Sequence, residues 1–228
     1  MFVVKIGGSI LFDEDDQINE KLITKYAKTI RNVFTESKKR CAIVVGGGKI
    51  ARKYIASSRR FGADETYNDI MGIEVAKLNA RLLISALGEL AYSTPPNNIQ
   101  EFTAFFKETD KIIVCGGFRP GQSTNAVAAE IAEAAKAEKL FNLTDVAGVY
   151  SDDPVKNPDA TLLDEISIDD LIKMVSNVQT KAGYYPLFDI IAAQTIKRSK
   201  IPLQFLSGRN PENLLKAFKG EKIGTIVS

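Results

Sequence analysis

The sequence contains neither histidine nor tryptophan among its 228 residues. The absence of histidine excludes serine–histidine and cysteine–histidine nucleophilic catalysis, because the general base of those sites is missing. It also excludes zinc sites that are built from histidine side chains. The sequence therefore favours binding, or chemistry that needs no imidazole.

Cysteine, net charge and long apolar runs are also scarce. Cys41 and Cys115 adjoin apolar segments without metal-ligand spacing, so we expect buried free thiols and no disulfide. The net charge of +2 gives no concentrated basic face, so neither a nucleic acid nor a membrane surface is an expected partner. No apolar run reaches the roughly 18 residues of a membrane-spanning helix. With no signal-peptide pattern at the start, the sequence predicts a cytoplasmic protein.

Short apolar segments alternate with helical patterns along the chain. Five such segments predict buried strands, at residues 2–6, 41–45, 112–115, 140–143 and 203–206. Helices are predicted from apolar stripes or alanine-rich composition at 18–34, 70–83 and 125–137. A strand–helix unit at 162–175 and a closing strand at 222–228 follow. This alternation predicts an α/β fold with helices on both faces of a mostly parallel sheet.

The first two predicted strands run directly into glycines. Gly7 and Gly8 can present backbone N–H groups to phosphate oxygens within reach of Lys5. A tight turn beside a surface lysine is the alternative. The glycines at 46–48 precede a predicted helix, whose N-terminus would attract an anion, with Arg52 one turn into it. Both junctions are therefore candidate phosphate sites.

The stretch GGGKIA (46–51) also matches the dinucleotide-binding pattern G-x-G-x-x-[GA], with Asp69 at about the right distance. However, these glycines follow the second strand, and Asp69 is expected to open a helix instead of ending a strand. The match is therefore weak. The pattern G-x-x-x-x-G-K-[ST] is absent from the sequence, which excludes a Walker-type phosphate loop.

The third junction, at residues 116–125, combines glycines with hydroxyl and amide side chains. It can line a pocket for a polar ligand such as a base and ribose. Capping of the following helix by Thr124 or Asn125 is the structural alternative.

The fourth strand ends in Thr144 and Asp145, and Tyr150 and Asp153 lie in the loop beyond. Tyr150 could stack on a purine, although proline and aspartate in this loop also suit a simple turn. Ligands of parallel sheets bind beyond the carboxyl ends of the strands. The four strand ends together therefore predict one crevice, with two phosphate-binding regions and a central lysine.

Several segments resemble the amino acid kinase superfamily, namely KIGGS (5–9), VVGGGKIAR (44–52), TDVAGVYSDDP (144–154) and GTIVS (224–228). Within it, DIMGIEVAKLNARLL (69–83) is similar to the D-x-x-G-x-x-x-x-x-x-N-A segment of uridylate (UMP) kinases, and residues 116–134 resemble their nucleotide-specificity loop. The resemblance to the short archaeal type of this family covers essentially the whole chain. It implies a three-layer α/β/α sandwich with the amino acid kinase fold. It also implies reversible phosphoryl transfer from ATP, with Mg²⁺, to UMP in pyrimidine nucleotide biosynthesis.

The resemblance also implies a role for each matching residue. ATP would be bound by Lys5, Gly7, Gly8, Ser9, Gly47, Arg52, Thr144, Tyr150 and Asp153. UMP would be bound by Gly46, Asp69, Gly117, Phe118, Arg119, Pro120, Gly121, Gln122, Ser123 and Thr124. Lys5 and Arg52 would act on the transferring phosphoryl group, Asp145 would orient Lys5, and Mg²⁺ would be held through nucleotide phosphates without a protein site.

The same resemblance implies one domain over residues 1–228, with a UMP-binding lobe at about 1–135 and an ATP-binding lobe at about 136–228. It further implies a homohexamer built from dimers, for which residues 50–85 are the candidate dimer surface.

The segment at 179–194 departs from the family pattern G-G-M-x-x-K, because Lys181 precedes its glycine and Asp189 stands near the expected lysine. The role of Lys181 therefore stays open. One alternative is another phosphotransferase of the superfamily, of the acetylglutamate or carbamate type; isopentenyl phosphate kinases use a histidine, which this chain lacks. A second alternative is a non-catalytic nucleotide-binding protein, against which the presence of Lys5, Arg52 and Asp145 argues.

Overall fold

The structure is a computed structural model and describes residues 1–152, 154, 157–176 and 187–228. Asp153 and Lys181 lie outside the described residues. The ATP-binding role of Asp153 therefore stays a prediction, and the role of Lys181 stays open. The strands are β1 Phe2–Ile6, β2 Cys41–Val45, β3 Ile113–Cys115, β4 Lys139–Thr144, β5 Glu165–Ile166, β6 Leu203–Ser207 and β7 Thr225–Val227. The helices are α1 Glu20–Ser37, α2 Gly48–Arg60, α3 Glu65–Leu87, α4 Ile99–Glu108, α5 Thr124–Ala134, α6 Ile168–Ser176, α7 Ile190–Ser199 and α8 Glu212–Phe218. Short 3-10 helices span Gly8–Leu11 and Gly88–Leu90.

The seven strands found in the described part of the chain form one sheet, in the order β3-β2-β1-β4-β6-β7-β5. Strands β3, β2, β1, β4 and β6 are mutually parallel, whereas β7 runs antiparallel to β6 and β5 runs parallel to β7. The chain leaves β1 toward β2 on one side and returns to β4 on the other. This change of direction at β1 opens a crevice at the carboxyl ends of the strands.

Both faces of the sheet are covered by helices, because the strands carry apolar side chains on both faces. On one face, the core residues come from α4, α5, α6 and α7. On the other, they come from α1, α3 and α8. The predicted three-layer α/β/α sandwich around a mostly parallel sheet is confirmed. None of the helices in the described ranges is long and apolar enough to cross a membrane.

Cys41 and Cys115 are both buried and both free. Burial raises the pKa of both thiols, because it disfavours the charged thiolate. The prediction of buried free thiols is therefore confirmed.

The element boundaries differ from the sequence prediction in a few places. Helix α5 is capped by Ser123, whose side chain accepts a hydrogen bond from Ala126 N, and not by Thr124 or Asn125. Helix α3 begins at Glu65, so Asp69 lies in its second turn and does not open it. Ser167 caps α6: its hydroxyl accepts from Asp170 N at 3.1 Å.

Candidate active site

A crevice of about 740 Å³ lies at the carboxyl ends of β1, β2, β3 and β4. Parallel strands place all of these ends at one edge of the sheet, so the segments that follow them meet there. Most of the predicted site residues line this crevice, namely Lys5, Gly7, Gly8, Ser9, Gly46, Gly47, Arg52, Asp69, Gly117, Gln122, Ser123, Thr124, Thr144, Asp145 and Tyr150. The fold thus gathers in one place residues that are up to 145 positions apart, from Lys5 to Tyr150.

The glycines after β1 and β2 pack directly against each other. A Cβ atom on Gly48 would lie 2.3 Å from the carbonyl carbon of Gly8, and one on Gly8 would lie 2.1 Å from the carbonyl oxygen of Gly46. Gly48 also has a φ of 65°, which glycine adopts without strain. These glycines therefore lack side chains because the neighbouring glycine loop packs directly against them. Each loop fixes the position of the other.

The backbone amides at this junction are not equivalent. Gly7 N donates to Leu143 O at 2.9 Å, and Gly46 N donates to Ile6 O at 3.0 Å, so both amides belong to the sheet. Gly7 and Gly46 line the crevice, but neither offers a free N–H group to an anion. The expectation that Gly7 presents its amide to a phosphate is therefore wrong, because the β4 carbonyl takes that hydrogen bond.

Free donors remain at Gly8, whose N–H group has no acceptor among the described residues, and at the N-terminus of α2. Among the described residues, no acceptor pairs with the backbone N–H groups of Gly47, Gly48, Lys49 or Ile50. Unpaired amides and the helix dipole together favour a bound anion at such an end. Arg52, one turn along, reaches across the crevice, and its Nη2 donates to Ser9 Oγ at 3.1 Å. The side chain predicted to hold phosphate thus bridges the two glycine loops.

Lys5 lies at the centre of the crevice, near the carboxyl end of β1. Burial lowers the pKa of its ammonium group from 10.5 to about 8, and the negative charges of Asp145 and Asp189 oppose that shift. In the described part of the chain Lys5 makes no direct ion pair, so Asp145 acts on it through space. The ammonium is still mostly protonated at neutral pH. It is therefore a partly buried cation, whose interaction with a phosphate is stronger than in bulk water.

Asp189 does not line the crevice, but its charge acts on the Lys5 ammonium. The sequence did not reveal its contacts. Its buried carboxylate caps α7 by accepting from Ala192 N at 3.0 Å. It also accepts a hydrogen bond from the Ser123 hydroxyl, the cap of α5. The carboxylate thus joins two helix N-termini beside Lys5. The only signal in the sequence was its departure from the family's glycine-rich segment.

The loop between β3 and α5 reaches the crevice only with part of its length. Gly117, Gln122, Ser123 and Thr124 line it, but the four residues between them do not, namely Phe118, Arg119, Pro120 and Gly121. Gly121 N donates to the Asp69 carboxylate at 2.7 Å, which fixes the loop to α3. Nη2 of the exposed Arg119 lies 3.7 Å from Oε1 of Glu130. The UMP-binding role that the resemblance implies for these four residues therefore stays a prediction.

The opposite end of the crevice has an apolar wall that the sequence analysis did not assign. Leu171, Met174 and Val175 of α6 line it, together with Phe188 and Tyr150. Such a surface suits the flat aromatic ring of a ligand, and the Tyr150 ring can stack on that ligand ring. The α6 residues lie on the helix face that their spacing predicts to be apolar, but the sequence does not show that this face meets the crevice.

Comparisons with known proteins agree with this geometry. The model of the amino acid kinase family matches residues 1–207. A uridylate kinase of Methanobrevibacter smithii is 46% identical over 225 residues, which cover 99% of this chain and 97% of that protein. A uridylate kinase of Archaeoglobus fulgidus is 40% identical over 228 residues, which cover 99% of each chain.

Solved structures give the same result. The crystal structure of the uridylate kinase from Archaeoglobus fulgidus superposes with a TM-score of 0.86 at 40% identity, covering 100% of this chain and 99% of that one. A UMP kinase from Bacillus anthracis shares the fold, with a TM-score of 0.82, 20% identity, and coverage of 100% and 95%. The chain therefore belongs to the amino acid kinase family, and within it to the uridylate kinases of the archaeal type.

Proposed function

We propose that this chain transfers the γ-phosphate of ATP to UMP, giving ADP and UDP, and so serves pyrimidine nucleotide biosynthesis. The observation that carries the proposal is the crevice at the carboxyl ends of the strands, which unites the segments shared with uridylate kinases. The reaction needs two phosphate-bearing nucleotides bound side by side, and the crevice has a cationic centre between two different ends. The predicted cytoplasmic location stays a prediction.

Lys5, Arg52 and the amides at the start of α2 would surround the transferring phosphoryl group. Phosphoryl transfer depends on in-line positioning and on stabilising the charge of the equatorial oxygens. Fixed cationic and amide donors provide this without reorganising during the reaction. No general base is required, because the attacking phosphate oxygen is already an anion. This agrees with a chain that has no histidine.

The proposed cofactor is Mg²⁺, held mainly by the nucleotide phosphates, where it would neutralise charge on the β- and γ-phosphates. No cluster of three or more His, Cys, Asp or Glu side chains that could hold a metal is present among the described residues. Mg²⁺ commonly keeps phosphate and water ligands and uses one or two carboxylates. Asp145, which lines the crevice at the end of β4, is one of the carboxylates that could contribute.

The two ends of the crevice suit different nucleotides. Asp69, Gln122 and Thr124 offer hydrogen-bonding groups at one end, where we place the ribose and base of UMP. Tyr150 and the apolar wall lie at the other end, where we place the adenosine of ATP, with Thr144 beside it. This assignment makes residues 1 to about 135 the UMP lobe and 136 to 228 the ATP lobe of one domain.

We also propose the homohexamer built from dimers. Its support is an exposed apolar surface on α2 and the first turns of α3, within the candidate segment 50–85. Phe61 is 88% exposed, Tyr67 is 55% exposed and Tyr54 is 54% exposed. These side chains border a groove of about 580 Å³. Contiguous exposed aromatic side chains commonly mark a surface that another protein covers.

A coupled assay tests the proposed reaction. The purified chain is incubated with ATP and Mg²⁺ and, in separate reactions, with UMP, CMP, N-acetylglutamate or carbamate. We expect ADP and UDP to form in equal amounts with UMP, and much less ADP with the other acceptors. Absence of turnover with UMP, or faster turnover with N-acetylglutamate or carbamate, would overturn the proposal.

A further inference from the structure

Asn79 lies in α3, directly behind the glycine loop that begins α2. Its side chain is 4% exposed, and Asn79 is not among the residues that line the crevice. Its Nδ2 donates to Gly46 O at 2.9 Å and to Gly47 O at 3.3 Å. One buried amide group therefore holds two consecutive backbone carbonyls, 33 and 32 residues away in the sequence.

These two hydrogen bonds set the direction of two backbone N–H groups. All peptide bonds of the described residues are trans, and in a trans peptide the N–H group points opposite to the C=O group. Because the carbonyls of Gly46 and Gly47 point at Asn79, the N–H groups of Gly47 and Gly48 point away from it. Both glycines line the crevice, and among the described residues neither N–H group has an acceptor.

In the described part of the chain, no side chain other than Asn79 donates a hydrogen bond to these two carbonyls. A Cβ atom on Gly47 would lie 2.5 Å from Ala51 Cβ and 3.2 Å from Gly72 O, so position 47 has no room for a side chain. The Gly47 carbonyl also accepts from Ala51 N of α2 at 3.3 Å, whereas the Gly46 carbonyl has no backbone donor among the described residues. The α3 face that packs against it presents Gly72 and Ala76, which have no polar side-chain atoms.

We propose that Asn79 is a positioning residue: it aims the amides of Gly47 and Gly48 at the nucleotide phosphates without touching them. This inference rests on the proposed function for the identity of the anion. Preorganised donors contribute to a reaction because their direction is fixed before the charge develops. Without the Asn79 donors, the Gly46 carbonyl has no hydrogen-bond partner among the described residues, and the Gly47 carbonyl keeps only Ala51 N. The two N–H groups of the anion site are then held less firmly in line.

The test compares Asn79→Ala and Asn79→Asp with a matched control, Gln204→Glu. Gln204 is another buried amide, whose Nε2 donates to the backbone carbonyl of Ile223 at 2.7 Å, away from the crevice. Both Asp and Glu keep the shape of the original side chain but cannot donate when ionised. Urea unfolding ranks the variants by stability. Equilibrium binding of ADP and adenosine, and of UMP and uridine, is then measured on folded protein.

We expect the Asn79 variants to bind ADP and UMP at least tenfold more weakly, and adenosine and uridine within twofold of the parent. The control should leave all four affinities within twofold. Equal weakening of nucleotides and nucleosides would overturn the proposal, since it indicates general distortion of the crevice. Unchanged binding of ADP and UMP would also overturn it. If Asn79→Asp does not fold, Asn79→Ala carries the same comparison. These binding measurements need no turnover, so failure of the kinase assay alone would refute the proposed function and leave this inference standing.

Discussion

Replacing Lys5 with methionine should make the protein more stable and almost inactive. Methionine fills a similar volume without a charge. Burial holds the pKa of Lys5 at about 8, against 10.5 for a free lysine, and each pKa unit corresponds to about 1.4 kcal/mol. The charged side chain therefore costs the folded state about 3 kcal/mol at neutral pH, with the attraction of Asp145 and Asp189 already included. Because Lys5 lines an open crevice, we take about half of that figure, ~1.5 kcal/mol, as the expected gain.

The sign of this effect depends on pH in a defined way. Below pH 8 the lysine is charged in both the folded and the unfolded state, so the full cost is present. As the pH rises from about 8 to 10.5, the folded protein loses its proton first and the cost disappears. Urea unfolding of both proteins at pH 7 and at pH 10 should show a stability difference that shrinks between the two. Turnover of Lys5→Met should fall at least about 10²-fold. Equal or lower stability of Lys5→Met at pH 7 would refute the reasoning about burial.

Two further predictions follow from the site. Asp145→Asn removes the carboxylate whose charge raises the pKa of Lys5 more than that of Asp189 does. The alkaline limb of the pH–kcat profile should therefore move to lower pH; an unmoved limb would show that Asp145 does not act on this ammonium. Gly48→Ala combines a φ of 65° with a contact of 2.3 Å to the loop after β1, whereas Gly62→Ala meets a φ of 89° and no atom within 4 Å. Unfolding should show a loss of about 1 kcal/mol for Gly62→Ala and a further ~1–3 kcal/mol for Gly48→Ala; equal losses would contradict the close packing of the two loops.

Much of the fold was predictable because its signals are local. The apolar runs at 2–6 and 41–45 match β1 and β2 residue for residue. Buried parallel strands need apolar side chains on both faces, and this requirement is visible in a single short segment. The alternation with helical stripes then predicted the layers. Glycines at three successive strand ends indicated where the crevice would lie, because that edge is where parallel strands place their following loops.

The tertiary structure decided which groups of the site are free to act. The sequence named Gly7 as an anion donor, but its amide is taken by Leu143 on a strand 136 residues away. Asp189 joins Ser123 across 66 residues, and Asn79 holds Gly46 across 33. Residue type and periodicity describe what a segment can do by itself. Hydrogen-bond partners and burial depend on which distant segment lies opposite. Local signals therefore predict the layers and the edge that carries the site, whereas only the packed structure shows which donors and charges remain there for a ligand.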